Sequence, residues 1–279
     1  MKGKWLAATV LLPFIVIFGA FQIAPFLWMT LHSFNSEAEG WGIDNYRLIL
    51  TSPFYRQAIA FSLQITFWSS VFGLVIALIG SYSLRQLGAT RLRSAVMSFT
   101  NMTSNFTGVP LAFAFVILLG TNGCVTLILR RYGWFGDFSL YSKTGLMVLY
   151  TYFQIPLGVL LLYPAFDALS EDWRESAALL GAGKIRYWRY IGLPVLAPAL
   201  MGTFVILLAN ALGAYATIFA LTSGNFNVIP IRISALVAGD LDLDPNLASA
   251  LGMLLVFLMV IITLIHRWMM RRSYTHSQP

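Results

Sequence analysis

Apolar residues run along this chain in long stretches that short polar segments separate. A helix needs roughly 20 mostly apolar residues to cross the hydrocarbon core of a bilayer, and six stretches exceed that length without a charged residue. The third and fifth also contain polar or helix-breaking runs at residues 101–105 and 222–225. We assign one crossing to each of these, although a re-entrant segment stays open in both. The predicted spans cover residues 6–31, 58–84, 95–119, 144–166, 197–221 and 247–267.

The first stretch follows Met1-Lys-Gly-Lys, which is also how a secretory signal begins. The apolar region of a signal peptide is only about 7–15 residues long. Here it covers residues 6–31. We therefore expect a retained helix.

Composition supports a polytopic membrane protein. Of the 279 residues, 58% are hydrophobic and only 10% are charged, whereas a soluble domain carries about 25% charged residues. A soluble globular protein is excluded on this ground. The single cysteine, Cys124, excludes an intramolecular disulfide, and we interpret it as a small packing residue beside Gly123.

The basic residues predict the orientation. With the N-terminus in the cytoplasm, the inner segments hold 12 Lys and Arg and the outer segments hold 6. Cytoplasmic loops carry the excess of Lys and Arg, so both termini are predicted to be cytoplasmic. The net charge of +7 is then mainly a topology signal, and we expect no nucleic-acid partner.

Catalytic motifs are not found in the sequence. No Gly-x-x-x-x-Gly-Lys-Ser/Thr run is present to cradle a phosphate. The histidines, His32, His266 and His276, fall at two span ends and in the tail, where we expect no metal site. The chain is therefore predicted to be neither an enzyme nor a cofactor-binding protein. No charged residue falls deep inside a predicted span, since only the last position of the sixth span, Arg267, is charged. This counts against a proton-coupled transporter.

The segment of residues 167–196 between the fourth and fifth spans carries the strongest signal. Ser170 is a candidate N-cap, and Trp173, Ala177 and Leu180 share one face of a short helix that follows it. Gly181 then permits a change of direction. By composition alone the segment is an amphipathic helix at the membrane surface.

The spacing of residues within this segment follows a recognisable pattern. Its residues follow the pattern Glu-Ala-Ala, three residues, Gly, nine residues, Ile, one residue, Leu-Pro, with Ser176 in place of the first Ala. This resembles the signature loop of the transmembrane subunits of bacterial binding-protein-dependent ABC importers. The six spans, the two inner termini and the position of the loop are also similar to that family. The matching residues are Glu175, Ala177, Gly181, Ile191, Leu193 and Pro194, with Ala178 in the extended form.

The resemblance implies a type I ABC importer permease (MetI-like) fold. It is all-α, and residues 1–279 form a single permease domain in the bacterial inner membrane. The loop would dock on a separate ATPase subunit, which binds the ATP and Mg²⁺. The expected partners are two ATPase subunits, a second permease (a distinct chain more than a copy) and a periplasmic binding protein. The implied coupling residues are Glu175, Ser176, Ala177, Ala178, Gly181, Ile191, Leu193 and Pro194.

Polar residues inside the spans are candidates for the translocation path, although helix–helix packing also uses them. We select Asn105, Asn210 and Tyr215.

A second candidate set lies in the last outer loop. Asp240, Asp242 and Asp244 either start the sixth helix as a solvated charge run or meet the binding protein or a cationic substrate. The stretch at residues 213–225 resembles the polyamine, phosphonate, iron and thiamine branch of the importers. On this resemblance we expect a polyamine-like or phosphonate-like substrate. The alternatives are an ion-coupled secondary transporter and a membrane scaffold.

Overall fold

The computed structural model describes residues 11–36, 40–88, 90–133, 138–239 and 243–275. Within them, six helical segments are long and apolar enough to cross a membrane, as predicted. They are Leu11–His32, Pro53–Gln86, Val109–Arg131, Lys143–Asp167, Lys184–Leu212 and Pro245–Trp268.

Twelve helices and one short hairpin make up the described part of the chain. In chain order they are α1 (Leu11–His32), β1 (Asn35–Ser36), β2 (Gly40–Trp41), α2 (Asp44–Thr51), α3 (Pro53–Gln86), α4 (Arg91–Ser104), α5 (Val109–Leu119), α6 (Cys124–Arg131), α7 (Lys143–Asp167), α8 (Glu171–Leu179), α9 (Lys184–Leu212), α10 (Ala216–Thr222), α11 (Ile229–Ala238) and α12 (Pro245–Thr275). Two of them contain π-helical turns, at Gly19–Ile23 in α1 and at Trp188–Gly192 in α9.

The third and fifth predicted spans are not single helices. The predicted helix over residues 95–119 is broken between Ser104 and Val109, and the apolar crossing instead covers Val109–Arg131. Gly108 has φ +73° and Pro110 lies in the first turn of α5, so neither position can continue α4. In the same way, the predicted bounds 197–221 are wrong, because the fifth crossing covers Lys184–Leu212 and a separate helix, α10, begins at Ala216.

The two helix breaks lie side by side, because α5 packs against α10. The Gly108 backbone N–H donates to Thr217 Oγ1 at 3.0 Å, and the Tyr150 hydroxyl donates to the Ala214 carbonyl at 2.8 Å. Helix ends leave backbone groups without intrahelical partners, and such groups are costly inside a membrane. These two bonds satisfy one group at each break.

The chain divides into two compact units, of which the first contains residues 1–59 and 227–258. Its core is formed by side chains of α2, α11 and the beginning of α12, with Ile49, Ile229 and Leu251 almost fully buried. The β1–β2 hairpin pairs Asn35 with Trp41. Asn45 at the start of α2 donates to the Asn35 carbonyl at 2.9 Å and so secures the hairpin.

The second unit contains residues 60–226 and 259–279. Within it, α7 packs against α4 and α9, and α3 approaches α7 closely at two glycines. A Cβ added at Gly73 would lie 2.6 Å from the Gln154 Cβ, and one at Gly158 would lie 2.7 Å from the Ala77 Cβ. Small residues permit such approaches between membrane helices.

Candidate functional site

The segment that follows α7 begins as its sequence predicts. The Ser170 hydroxyl accepts a hydrogen bond from the Asp172 backbone N–H at 3.2 Å and so caps α8. Glu171 and Asp172 occupy the first turn, where acidic side chains are stabilised by the helix dipole. The predicted N-cap is therefore confirmed.

The end of α8 is a Schellman motif. Gly181 has φ +75°, its N–H bonds to the Ala178 carbonyl, and the Ala182 N–H bonds to the Ala177 carbonyl, both at 2.9 Å. This pair of bonds, with a left-handed residue after the cap, is the motif that a glycine favours. Gly181 therefore turns the chain from α8 towards α9.

The predicted shared face of α8 is present, because Trp173, Ala177 and Leu180 line one groove. Ala177 is buried there, whereas Leu180, the C-cap residue, is 88% exposed. Leu179 and Ile185 are 89% and 86% exposed. The turn between α8 and α9 thus presents three apolar side chains outward.

The other predicted coupling residues lie at the surface, with two exceptions. Ala177 is buried and Ile191 is half-buried. The first four residues of the signature share α8, and the last three lie where α9 passes from its π-helical turn into regular α-helix. The exposed members are Glu175, Ser176, Ala178, Gly181, Leu193 and Pro194.

An aromatic cluster supports the start of α9. The Trp188 ring lies 5.5 Å from the Tyr82 ring and 6.4 Å from the Phe166 ring. A Cβ added at Gly192 would lie 2.5 Å from this indole, so only glycine leaves room for it in the π-helical turn. The loop is thereby packed against both α3 and α7.

Arg85 is a functional candidate that the sequence analysis used only as an orientation charge. It lies in the last turn of α3, and its Nη2 donates to the Leu169 carbonyl at 2.5 Å and to Glu171 Oε1 at 3.4 Å. Glu171 also pairs with Arg174 at 2.7 Å. Arg85 therefore connects the end of α3 to the start of α8. No local pattern reveals this link, because the two partners are 86 positions apart.

A polar cavity of about 750 Å³ lies beside this link. It is lined by Arg85, Glu171, Arg174, Glu175 and Lys184, among others. Both charge signs line the cavity.

Of the predicted path residues, Asn210 is exposed and contacts a buried polar pair. Its Nδ2 donates to Gln154 Oε1 at 3.4 Å, while Gln154 Nε2 donates to Ser70 Oγ at 3.0 Å and to the Leu207 carbonyl at 2.8 Å. Gln154 is fully buried in α7. Gln154 is not among the predicted path residues, although a glutamine inside an apolar span is a detectable signal.

The remaining path candidates lie at the two helix breaks. Asn105 caps α4 and its Nδ2 donates to the Asn101 carbonyl at 3.0 Å. Tyr215 precedes α10 and packs against Phe219, with 5.2 Å between ring centroids. Both positions stay predictions as path residues.

The last acidic loop is described only in part. Asp240 and Asp242 lie outside the described residues. Asp244 Oδ1 accepts from the Leu247 N–H at 2.8 Å, which confirms its role at the start of α12. A docking role for the three acids stays a prediction.

Comparison with known proteins identifies the family. Residues 70–273 match the family described as "Binding-protein-dependent transport system inner membrane component". A putative ferric transport system permease, FbpB 1 of Haemophilus influenzae, is 28% identical over 98% of this chain and 43% of its own length. The sn-glycerol-3-phosphate permease UgpA of Shigella flexneri is 23% identical over 95% of this chain and 93% of its own length. This chain spans less than half the length of the ferric permeases it matches.

A solved structure shares the fold. The bacterial ABC transporter that imports the acidic polysaccharide alginate matches with a TM-score of 0.76 and 22% identity, over 97% of this chain and 96% of its own. The names of these relatives support neither a polyamine-like nor a phosphonate-like substrate. Permeases of this kind are non-catalytic transmembrane subunits. The chain belongs to the inner-membrane permease components of binding-protein-dependent ABC transport systems.

Proposed function

We propose that this permease imports iron or a sugar phosphate that a periplasmic binding protein delivers. The names of the relatives support these two substrate classes. Two ATPase subunits would supply the energy by hydrolysing Mg-ATP, and a second permease chain would complete the path.

We further propose that the segment of residues 167–196 couples the permease to its ATPase. The observation that carries this proposal is the surface of α8 and the turn after it. Small residues at Ser176, Ala178 and Gly181 are exposed there and allow a second backbone to approach. Next to them, Leu179 and Ile185 offer apolar surface that is 86–89% exposed, which is costly unless a partner covers it.

Movement of the docked loop would be transmitted to the membrane through named contacts. Arg85 holds the first turn of α8 to the end of α3, and Trp188 packs the start of α9 against Tyr82 and Phe166. A force applied to α8 therefore reaches α3, α7 and α9. This fits the rocking of helices that alternating access requires.

The test is a tagged pull-down in mild detergent, followed by ATP hydrolysis and uptake of radiolabelled iron and sn-glycerol-3-phosphate by membrane vesicles. Gly181→Arg should abolish ATPase recovery and uptake, because its side chain would occupy the docking surface. No atom lies within 4 Å of a Cβ at this position, so the first atom of an added side chain has open space around it.

Gly181→Ala is the matched control. It carries the same strain at positive φ, about 1 kcal/mol, without the bulk, and should keep most of the recovered ATPase. Uptake that survives Gly181→Arg would overturn the coupling assignment. A chain that purifies alone and takes up solute with a proton gradient would instead support a secondary transporter.

A further inference from the structure

Lys143 makes contacts with α3 that the proposed coupling function does not explain. It is the first residue of α7, and the sequence analysis counted it among the outer orientation charges. In the structure its side chain reaches α3, where Nζ donates to Gln64 Oε1. Nζ also lies 5.1 Å from the centroid of the Phe61 ring, which packs against Phe226 at 6.0 Å.

Two features make this position unfavourable for a lone cation. Lys143 is half-buried against Gln64 of the apolar crossing Pro53–Gln86, and partial loss of water is costly for a charge that nothing compensates. The helix dipole of α7 also places partial positive charge at the same end. A lysine at the first position of a 25-residue helix therefore opposes the dipole instead of complementing it.

The neighbours of Lys143 offset only part of this cost. An amide oxygen and an aromatic face each attract an ammonium group, but neither neutralises it. Among the residues that the structure describes, the ion pairs join Glu171 to Arg85 and to Arg174, so no described carboxylate pairs with Lys143. An ammonium group has three donors, and Gln64 accepts one of them.

We propose that Lys143, positioned by Gln64 and Phe61, binds an oxyanion of the transported solute, either a phosphate or a carboxylate. The inference rests on the proposed function, because the solute is the one that the permease carries. It narrows the substrate class to solutes with an anionic group: a sugar phosphate, or iron held in an anionic chelate. An oxyanion would neutralise the charge of Lys143 and accept hydrogen bonds from the N–H donors of Nζ that Gln64 does not use.

The chain allows a direct test, because it contains only four lysines: Lys2, Lys4, Lys143 and Lys184. The permease complex in nanodiscs is treated with acetic anhydride, and mass spectrometry measures the acetylation rates of Lys143 and Lys184. The probe is sn-glycerol-3-phosphate, compared with glycerol at equal ionic strength.

Bound phosphate should slow acetylation of Lys143. The expected factor is about threefold at a probe concentration of twice its dissociation constant. Glycerol should have no effect, and the rate at Lys184, which is exposed in the coupling segment, should not change. Equal protection by glycerol, or no protection by the phosphate, would overturn the proposal.

Two variants with the same change in net charge sharpen the test. Gln64→Glu places a permanent carboxylate beside Nζ and should abolish protection by the phosphate. Arg131→Gln removes one positive charge from an exposed position in the same predicted outer segment and should leave protection intact. Wild-type protection in Gln64→Glu would contradict the site. Acetylation requires neither transport nor ATP hydrolysis, so its outcome is separate from that of the coupling test.

Discussion

At the residue scale, the polar side chains inside the membrane helices act as connectors. Gln154 contacts α3 through Ser70 and α9 through the Leu207 carbonyl and Asn210. Ser70 is also fully buried. One glutamine therefore links three membrane helices and sets the orientation of Asn210.

Replacing Gln154 with Leu should lower the free energy of unfolding by about 1–2 kcal/mol, because the buried Ser70 hydroxyl loses its partner and buried polar groups are costly to leave unpaired. The measurement is the thermal unfolding midpoint in detergent. Gln86→Leu, at an exposed position of α3, provides the control. Equal midpoints for the two variants would show that the network adds no stability.

At the element scale, the close contact between α3 and α7 depends on glycines, which have no side chain. Gly73→Ala should destabilise the fold by about 1–3 kcal/mol because the helices must move apart, since the new Cβ would meet Gln154 at 2.6 Å. Gly80 lies on the same helix, and its Cβ would lie at an ordinary 3.5 Å from Val159 Cγ2. Gly80→Ala should therefore be tolerated. The measurement is the thermal unfolding midpoint of each variant in detergent. Equal midpoints for Gly73→Ala and Gly80→Ala would show that α3 and α7 are not in close contact at Gly73.

Helix boundaries followed local signals where those signals were strong. Ser170 and Gly181 begin and end α8 through backbone hydrogen bonds that depend on neighbouring residues only, so sequence reasoning located them. The polar run at residues 101–105 precedes the first break, whereas the run at 222–225 lies at the end of α10 and does not mark the second break, which lies at residues 213–215. The assignment of one crossing to each stretch is confirmed, but its bounds are shifted in both cases.

At the scale of the whole molecule, the orientation of the coupling segment is the central prediction, since it rests on the distribution of Lys and Arg. In a Cys124→Ala background, Leu179→Cys should react with a membrane-impermeant thiol reagent only in inside-out vesicles. Tyr132→Cys should react only in intact spheroplasts. Both positions are well exposed, at 89% and 72%, so access and not burial governs labelling. The reverse pattern would place the coupling segment on the outer side and contradict an ATPase partner there.

The sequence by itself determined the membrane class, the number of crossings and the coupling signature. These depend on composition, on stretch length and on spacing along one short segment, all of which are local properties. It did not determine which side chains meet across the fold. Arg85 with Leu169, Lys143 with Gln64, and Gln154 with Ser70 are partners that lie 79 to 84 positions apart, and only the packing of α3 against its neighbours brings them together. Tertiary structure therefore decided which polar residues connect the helices.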